Sequence, residues 1–94
     1  MVEKNRVLFL RPQAQADLDA IRKYSSKNFY EIIDKIEYLK EFPEMGPAMD
    51  RAYQGFRQVL CREYRIIYET ISDERIEIAY IRHCSRQTGL RLII

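Results

Sequence analysis

Apolar residues recur along this chain in two rhythms, a helical one in the first half and a strand-like one from residue 54 onward. Arg6 to Leu10 reads Arg-Val-Leu-Phe-Leu, a short run of strand formers that Arg11-Pro12 breaks. Pro12 suits the first position of a helix, where its missing N–H costs nothing. Ala14, Leu18, Ile21 and Tyr24 follow at helical spacing and predict one buried stripe, which Ser25-Ser26 ends. Asn28 begins a second predicted helix, with Glu31 three residues on in a variant of the capping box. Phe29, Ile32, Ile33, Ile36 and Leu39 form its buried face, Glu31, Asp34, Lys35 and Lys40 point outward, and Pro43 closes it. Two amphipathic helices with a short link predict an antiparallel hairpin that hides one stripe against something flat.

Pro43-Glu-Met-Gly-Pro47 is a turn by composition. Beyond it, Phe56 to Cys61, Tyr64 to Ile71 and Arg75 to Arg82 are three strand candidates. Arg62-Glu63 and Ser72-Asp73-Glu74 separate them as hairpin turns. In the last strand, strict alternation places Ile76, Ile78 and Tyr80 on one face and Glu77, Ala79 and Ile81 on the other. The predicted order is β-α-α-β-β-β. The fold class is α+β, with a two-helix hairpin packed on one face of a small, mainly antiparallel sheet. Residues 1–94 form one domain, without repeats, low-complexity stretches or a linker. A sheet covered on one side has a second face for solvent or a partner, and function is to be sought there.

Composition narrows the classes. The two cysteines sit in strand-like segments, and the start, Met-Val-Glu-Lys-Asn-Arg, is charged, with no apolar run after it for a signal or a membrane span. A cytoplasmic protein with reduced thiols is the expectation. Zinc needs about four ligands at close spacing, which two distant cysteines and the lone His83 do not supply, so no metal and no cofactor are expected. The net charge of +2 conceals an asymmetry. Residues 1–50 carry eight Lys/Arg against nine Asp/Glu, while residues 51–94 carry eight Arg, no Lys and five Asp/Glu. An all-arginine cationic half is an electrostatic footprint for phosphate or carboxylate partners; the alternative is a solvated sheet edge.

Three local patterns on this framework resemble the ParE/RelE toxin superfamily. Leu39-Lys-Glu-Phe-Pro43-Glu-Met-Gly46 is similar to an "L-x-x-x-P-x-x-G" end of the second helix. Gly55-Phe-Arg57 with Tyr64-Arg65-Ile-Ile-Tyr68 is similar to the "G-x-R … Y-R-[IVL]-[IVL]-Y" hairpin. Ile81-Arg-His83-Cys-Ser-Arg86 is similar to "[IV]-x-H-x-x-R" at the end of the last strand. The resemblance spans about residues 7 to 87. It implies the toxin half of a type II toxin–antitoxin (plasmid stabilisation) system, neutralised by a cognate antitoxin with an acidic, partly disordered segment, in a toxin–antitoxin hetero-oligomer without membrane association. It also implies one of two targets. ParE-like members inhibit DNA gyrase; RelE-like members cleave mRNA on the ribosome without a metal.

Metal-free RNA cleavage requires proton transfer to and from the reacting oxygens and a cationic clamp on the phosphorane. Under that reading Arg57 and Arg65, expected on one face of adjacent strands, clamp phosphate, His83 moves the proton and Arg86 adds charge. Under the binding reading Arg57, Arg65, Arg82, His83 and Arg86 meet the partner or target. Each has a structural alternative: Arg65 pairing with Glu69 or another carboxylate, His83 as a hydrogen-bonder at a strand end, Arg57 as an exposed hairpin position, and Tyr64, Tyr68 and Tyr80 as core packing. RelE-type nucleases place lysines around the position of Arg57 and a tyrosine in the tail. Here the strand is Phe56-Arg-Gln-Val-Leu-Cys61, the tail is Leu90-Arg-Leu-Ile-Ile94, and no lysine follows Lys40. The pattern therefore stands nearer to ParE and its gyrase inhibition, with ribosome-dependent mRNA cleavage as the alternative.

Overall fold

The computed structural model describes residues 6–84. They form β1 (Val7–Leu10), α1 (Pro12–Tyr24), α2 (Ser26–Leu39), a 3₁₀ turn (Arg51–Tyr53), β2 (Arg57–Cys61), β3 (Tyr64–Ser72) and β4 (Arg75–His83). The strands lie in the order β1-β4-β3-β2. β1 runs parallel to β4, and the two later hairpins are antiparallel. The expected β-α-α-β-β-β order and mainly antiparallel sheet are what the structure has.

α1 starts on Pro12 and buries Ala14, Leu18 and Ile21. Tyr24, expected on the same stripe, is 85% exposed; it is the last residue of the helix, past the end of the surface against which the stripe packs. The junction between the helices also differs from expectation. Ser25, not Asn28, caps α2: its hydroxyl accepts from the Asn28 N–H at 3.2 Å. The same residue ends α1, donating its N–H to the Ile21 carbonyl at 2.8 Å. A single extended residue thus joins the two helices. α2 stops at Leu39, four residues before Pro43, and buries Ile32, Ile36 and Leu39. Both stripes meet Val59, Cys61, Tyr64, Ile66, Tyr68, Ile76, Ile78 and Ile81 in one core.

The predicted alternation in β4 holds only as far as Ile78. Ile67 pairs with Tyr80 but Tyr68 pairs with Ile78, so Ala79 is an extra residue, a β-bulge. The bulge reverses the faces beyond it. Ile81 joins the core beneath the helices, while Tyr80 and Arg82 move to the other side with Arg65 and Ile67. α1 covers the strand where β1 gives out. β1 ends opposite Ile78; farther along β4, the Ile81 N–H donates to Asp17 Oδ2 on α1 at 3.0 Å. No helix among the described residues is long and apolar enough to cross a membrane.

Removing the Asp17 carboxylate leaves a backbone N–H of the bulged strand without an acceptor. Asp17→Ala is expected to lower the unfolding free energy by about 1–3 kcal/mol in urea titrations, and Asp17→Asn, which keeps an acceptor, by clearly less.

Candidate functional site

The two-residue turn Arg62-Glu63 sets the register of β2 against β3: Cys61 opposes Tyr64, Leu60 opposes Arg65 and Arg57 opposes Tyr68. Because side chains alternate, Arg57, Val59 and Cys61 share the helix side with Tyr64, Ile66 and Tyr68, whereas Gln58 and Leu60 share the other face with Arg65 and Ile67. The expectation that Arg57 and Arg65 project to one face is therefore corrected: they point to opposite sides of the sheet.

Arg57 Nη1 donates to the Gly46 carbonyl at 2.8 Å. The buried Tyr68 hydroxyl completes the attachment, donating to the Pro43 carbonyl at 2.7 Å and accepting from the Gly46 N–H at 3.1 Å. Burial pushes the Tyr68 phenol up from its ordinary pKa, opposed by the Gly46 N–H. The loop lies so close to β2 that a Cβ on Gly46 would sit 2.2 Å from the Gln58 carbonyl oxygen. Gly55 has φ +96, a conformation that favours glycine. Pro43, Gly46, Gly55, Arg57 and Tyr68 thus hold the segment between α2 and β2 against the sheet.

The face away from the helices is only partly open. Residues 48–56 fold back across its middle: Tyr53 is buried, with its ring edge-on to Phe56 at 6.3 Å and to Tyr80 at 6.4 Å. Ile67, on this face, is fully buried as well. One end carries ion pairs. Arg11 Nη2 bonds Glu69 at 2.6 Å and its Nε bonds Glu77 at 2.8 Å, while Arg75 Nε takes the other Glu77 oxygen at 2.8 Å. Glu69 is therefore the partner of Arg11 and not of Arg65.

The opposite end is cationic. Arg65 and Arg82 oppose each other across β3 and β4. Arg65 Nη1 donates to Gln58 Oε1 at 2.9 Å, and among the described residues its buried Nε has no hydrogen-bond partner. The Arg82 guanidinium lies 4.8 Å from the centre of the Tyr80 ring. Among the described residues, neither arginine is paired with a carboxylate. Leu60, 56% exposed, faces the same side.

His83 opposes Tyr64 and shares its helix-side face. Its Nε2 lies 3.1 Å from Glu63 Oε1, and its ring meets Tyr64 edge-on at 5.1 Å. Arg86 and the tail Leu90 to Ile94 lie outside the described residues. The structure thus brings Arg65 and Arg82 together and separates both from Arg57 and His83. No three His, Cys, Asp or Glu side chains among the described residues gather to hold a metal ion. Gln58 and Tyr53 belong to this face but carry no motif. Gln58 was legible through register, since the turn at Arg62-Glu63 puts it on the parity of Arg65; Tyr53 leaves no periodic signal.

A family model described as the ParE toxin of the type II toxin–antitoxin system parDE matches residues 8–88. The chain belongs to the ParE toxin family. Solved structures agree on the fold. A YoeB/ParE toxin from Agrobacterium tumefaciens has a TM-score of 0.72 at 20% identity, over 81% of this chain and 95% of that one. A chromosomal ParDE system from P. aeruginosa gives 0.70 at 19%, over 83% and 95%. The RelBE2 toxin–antitoxin complex of Mycobacterium tuberculosis gives 0.72 at 17%, over 84% and 98%. No curated protein matches the sequence.

In this ParE-family chain, several of the residues that carry the resemblance are therefore structural. Arg57→Ala should lower the unfolding free energy by about 1–2 kcal/mol, because the Gly46 carbonyl loses its donor; chemical denaturation measures this. The ion-paired end adds a pH dependence. Arg75 first, then Arg11, hold the Glu77 carboxyl below its ordinary value of 4.5. A carboxyl depressed in the folded state stabilises the fold above that ordinary value, and the stabilisation is lost as pH falls through the folded value. The melting temperature of the natural chain should exceed that of Glu77→Gln near neutrality, and the gap should close on acidification below about pH 4.5.

Proposed function

We propose that this ParE-family toxin acts by binding: it inhibits DNA gyrase in the cytoplasm, cuts no RNA itself, and is neutralised by a cognate antitoxin. The observation that carries the reading is the separation of the groups a nuclease would have to converge. The phosphate clamp nominated from the sequence is divided, with Arg57 engaged by the Gly46 carbonyl on the helix side and Arg65 on the other face. The proton-transfer candidate His83 faces the helix side beside Glu63, away from Arg65 and Arg82. General acid–base work needs the acid or base within hydrogen-bond reach of the reacting atom. Binding needs no such convergence. Arg65, Arg82 and the exposed Leu60 offer two guanidinium groups and an apolar contact on one surface, a composition suited to a protein partner.

The antitoxin follows from family membership, and several structural neighbours are toxin–antitoxin complexes, among them RelBE2 and the YoeB–YefM complex of Staphylococcus aureus. An acidic segment that orders on binding would set carboxylates against the arginine pair, and Arg86 would add a third cation if it reaches the same surface.

Purified protein titrated into a supercoiling reaction tests the target. Inhibition that saturates is expected, with messages left uncut in primer-extension assays on translating ribosomes. Normal supercoiling at saturating protein, or cuts within codons, would overturn the reading in favour of ribosome-dependent mRNA cleavage. The double variant Arg65→Ala/Arg82→Ala should remain folded and lose at least roughly tenfold in inhibitory potency.

A further inference from the structure

Three buried apolar residues, Tyr53, Ile67 and Ala79, lie outside the core beneath the helices. They mark a second, smaller cluster of the kind that forms under a loop. Its cover is the segment 48–56. Because the main core includes no residue of this cover, the helices and strands keep their shared packing whether or not the cover is in place.

The segment is also self-contained. At its base the Met49 N–H donates to the Phe56 carbonyl at 2.9 Å, and Ala48 bridges Arg57. Within it the Tyr53 N–H donates to the Asp50 carbonyl at 3.1 Å and the Gln54 N–H to that of Arg51 at 3.0 Å. Among the described residues, no hydrogen bond or ion pair joins residues 50–55 to a strand. Their hold on the sheet is the Tyr53 ring, edge-on to Tyr80 at 6.4 Å. Two left-handed residues bracket that ring, Arg51 at φ +57 and Gly55 at φ +96. A non-glycine residue keeps such a φ only while its surroundings enforce it.

What the cover hides has the composition of an interface centre. Ile67 is fully buried, on the face that carries Arg65 and Arg82. Partner surfaces join a desolvated apolar centre to a polar rim, and the closed face presents mainly the rim. We infer that residues 48–56 are a hinged cover, latched by Tyr53, which swings away as one unit and admits DNA gyrase to Ile67 and the Tyr80 ring beside the arginine pair. The occupant rests on the binding reading; the motion rests on the separate apolar cluster. A target that binds only the open form has its apparent affinity reduced by the open fraction, so raising that fraction raises potency by the same factor.

Thiol labelling of the full chain carrying Ile67→Cys tests the motion, with iodoacetamide as the reagent and peptide mass spectrometry as the readout. Cys61, buried in the helix-side core, reports global unfolding in the same molecule. Labelling at position 67 is expected to keep its rate at low urea, while labelling at Cys61 climbs with the denaturant. Gly55→Ala puts a Cβ into open space but makes φ +96 costly, and Tyr53→Ala removes the latch. Each, added to Ile67→Cys, should speed labelling at position 67 at least about threefold and leave Cys61 unaffected. Gly55→Ala by itself should inhibit supercoiling at a concentration lower by the same factor. The inference is overturned if labelling at position 67 rises with urea in step with Cys61, or if neither variant speeds it. It is equally overturned if Gly55→Ala speeds labelling and leaves potency as it was. If the natural chain does not inhibit supercoiling at all, gyrase falls as the target, and local labelling accelerated by both variants still upholds the cover.

Discussion

The turn Arg62-Glu63 pairs Cys61 with Tyr64, and the period of two then assigns a face to every side chain of β2 and β3. Arg62 adopts φ +57, a region that costs a non-glycine residue about 1–3 kcal/mol. Its guanidinium meets Glu31 of α2 at 2.6 Å, tying the strained turn to the helix layer. A shift of one residue in this register would exchange the buried Val59, Ile66 and Tyr68 for Arg65 and Gln58. Burial of the apolar set therefore holds the register, and the register decides which arginines face a partner.

β4 follows a second constraint. Without the bulge at Ala79, alternation would turn Ile81 away from the core and bring Arg82 beneath the helices. The extra residue avoids burying that charge, a cost far larger than the loss of local pairing. Asp17 accepts the N–H of Ile81, beyond the end of β1, and so supports the bulged strand from α1. The presence of Arg82 beside Arg65 is thus a consequence of core burial, acting through backbone geometry.

The charge asymmetry between the two halves of the chain finds a partial resolution in the sheet. Arg11, from the acidic half, crosses to satisfy Glu69 and Glu77, and Arg57 is absorbed by a backbone carbonyl. On the open face, among the described residues, Arg65 and Arg82 are left without a carboxylate, flanked by Gln58, Tyr80 and an exposed Leu60. The surface is small because residues 48–56 cover the adjoining middle of the face through Tyr53.

Local chemistry in the sequence determined the elements and their order. Pro12 starts α1, helical spacing marks Leu18, Ile21, Ile32 and Ile36 for burial, and short polar links divide three strands with limits within a residue of those observed. The same motifs pointed to the ParE family. The hairpin register was contained in the sequence as well, and counting outward from Arg62-Glu63 sets Arg57 opposite Tyr68 and separates it from Arg65, contrary to the expectation that both project to one face. Only the tertiary structure could decide the rest. The bulge at Ala79 comes with no glycine or proline and arises from competition between ladder pairing and core burial. The engagement of Arg57 by Gly46 and the coverage of the sheet by Tyr53 depend on a loop whose path is set by contacts far away in sequence. Periodicity reports which side chains share an element's face; it carries no information about what the rest of the chain places against that face.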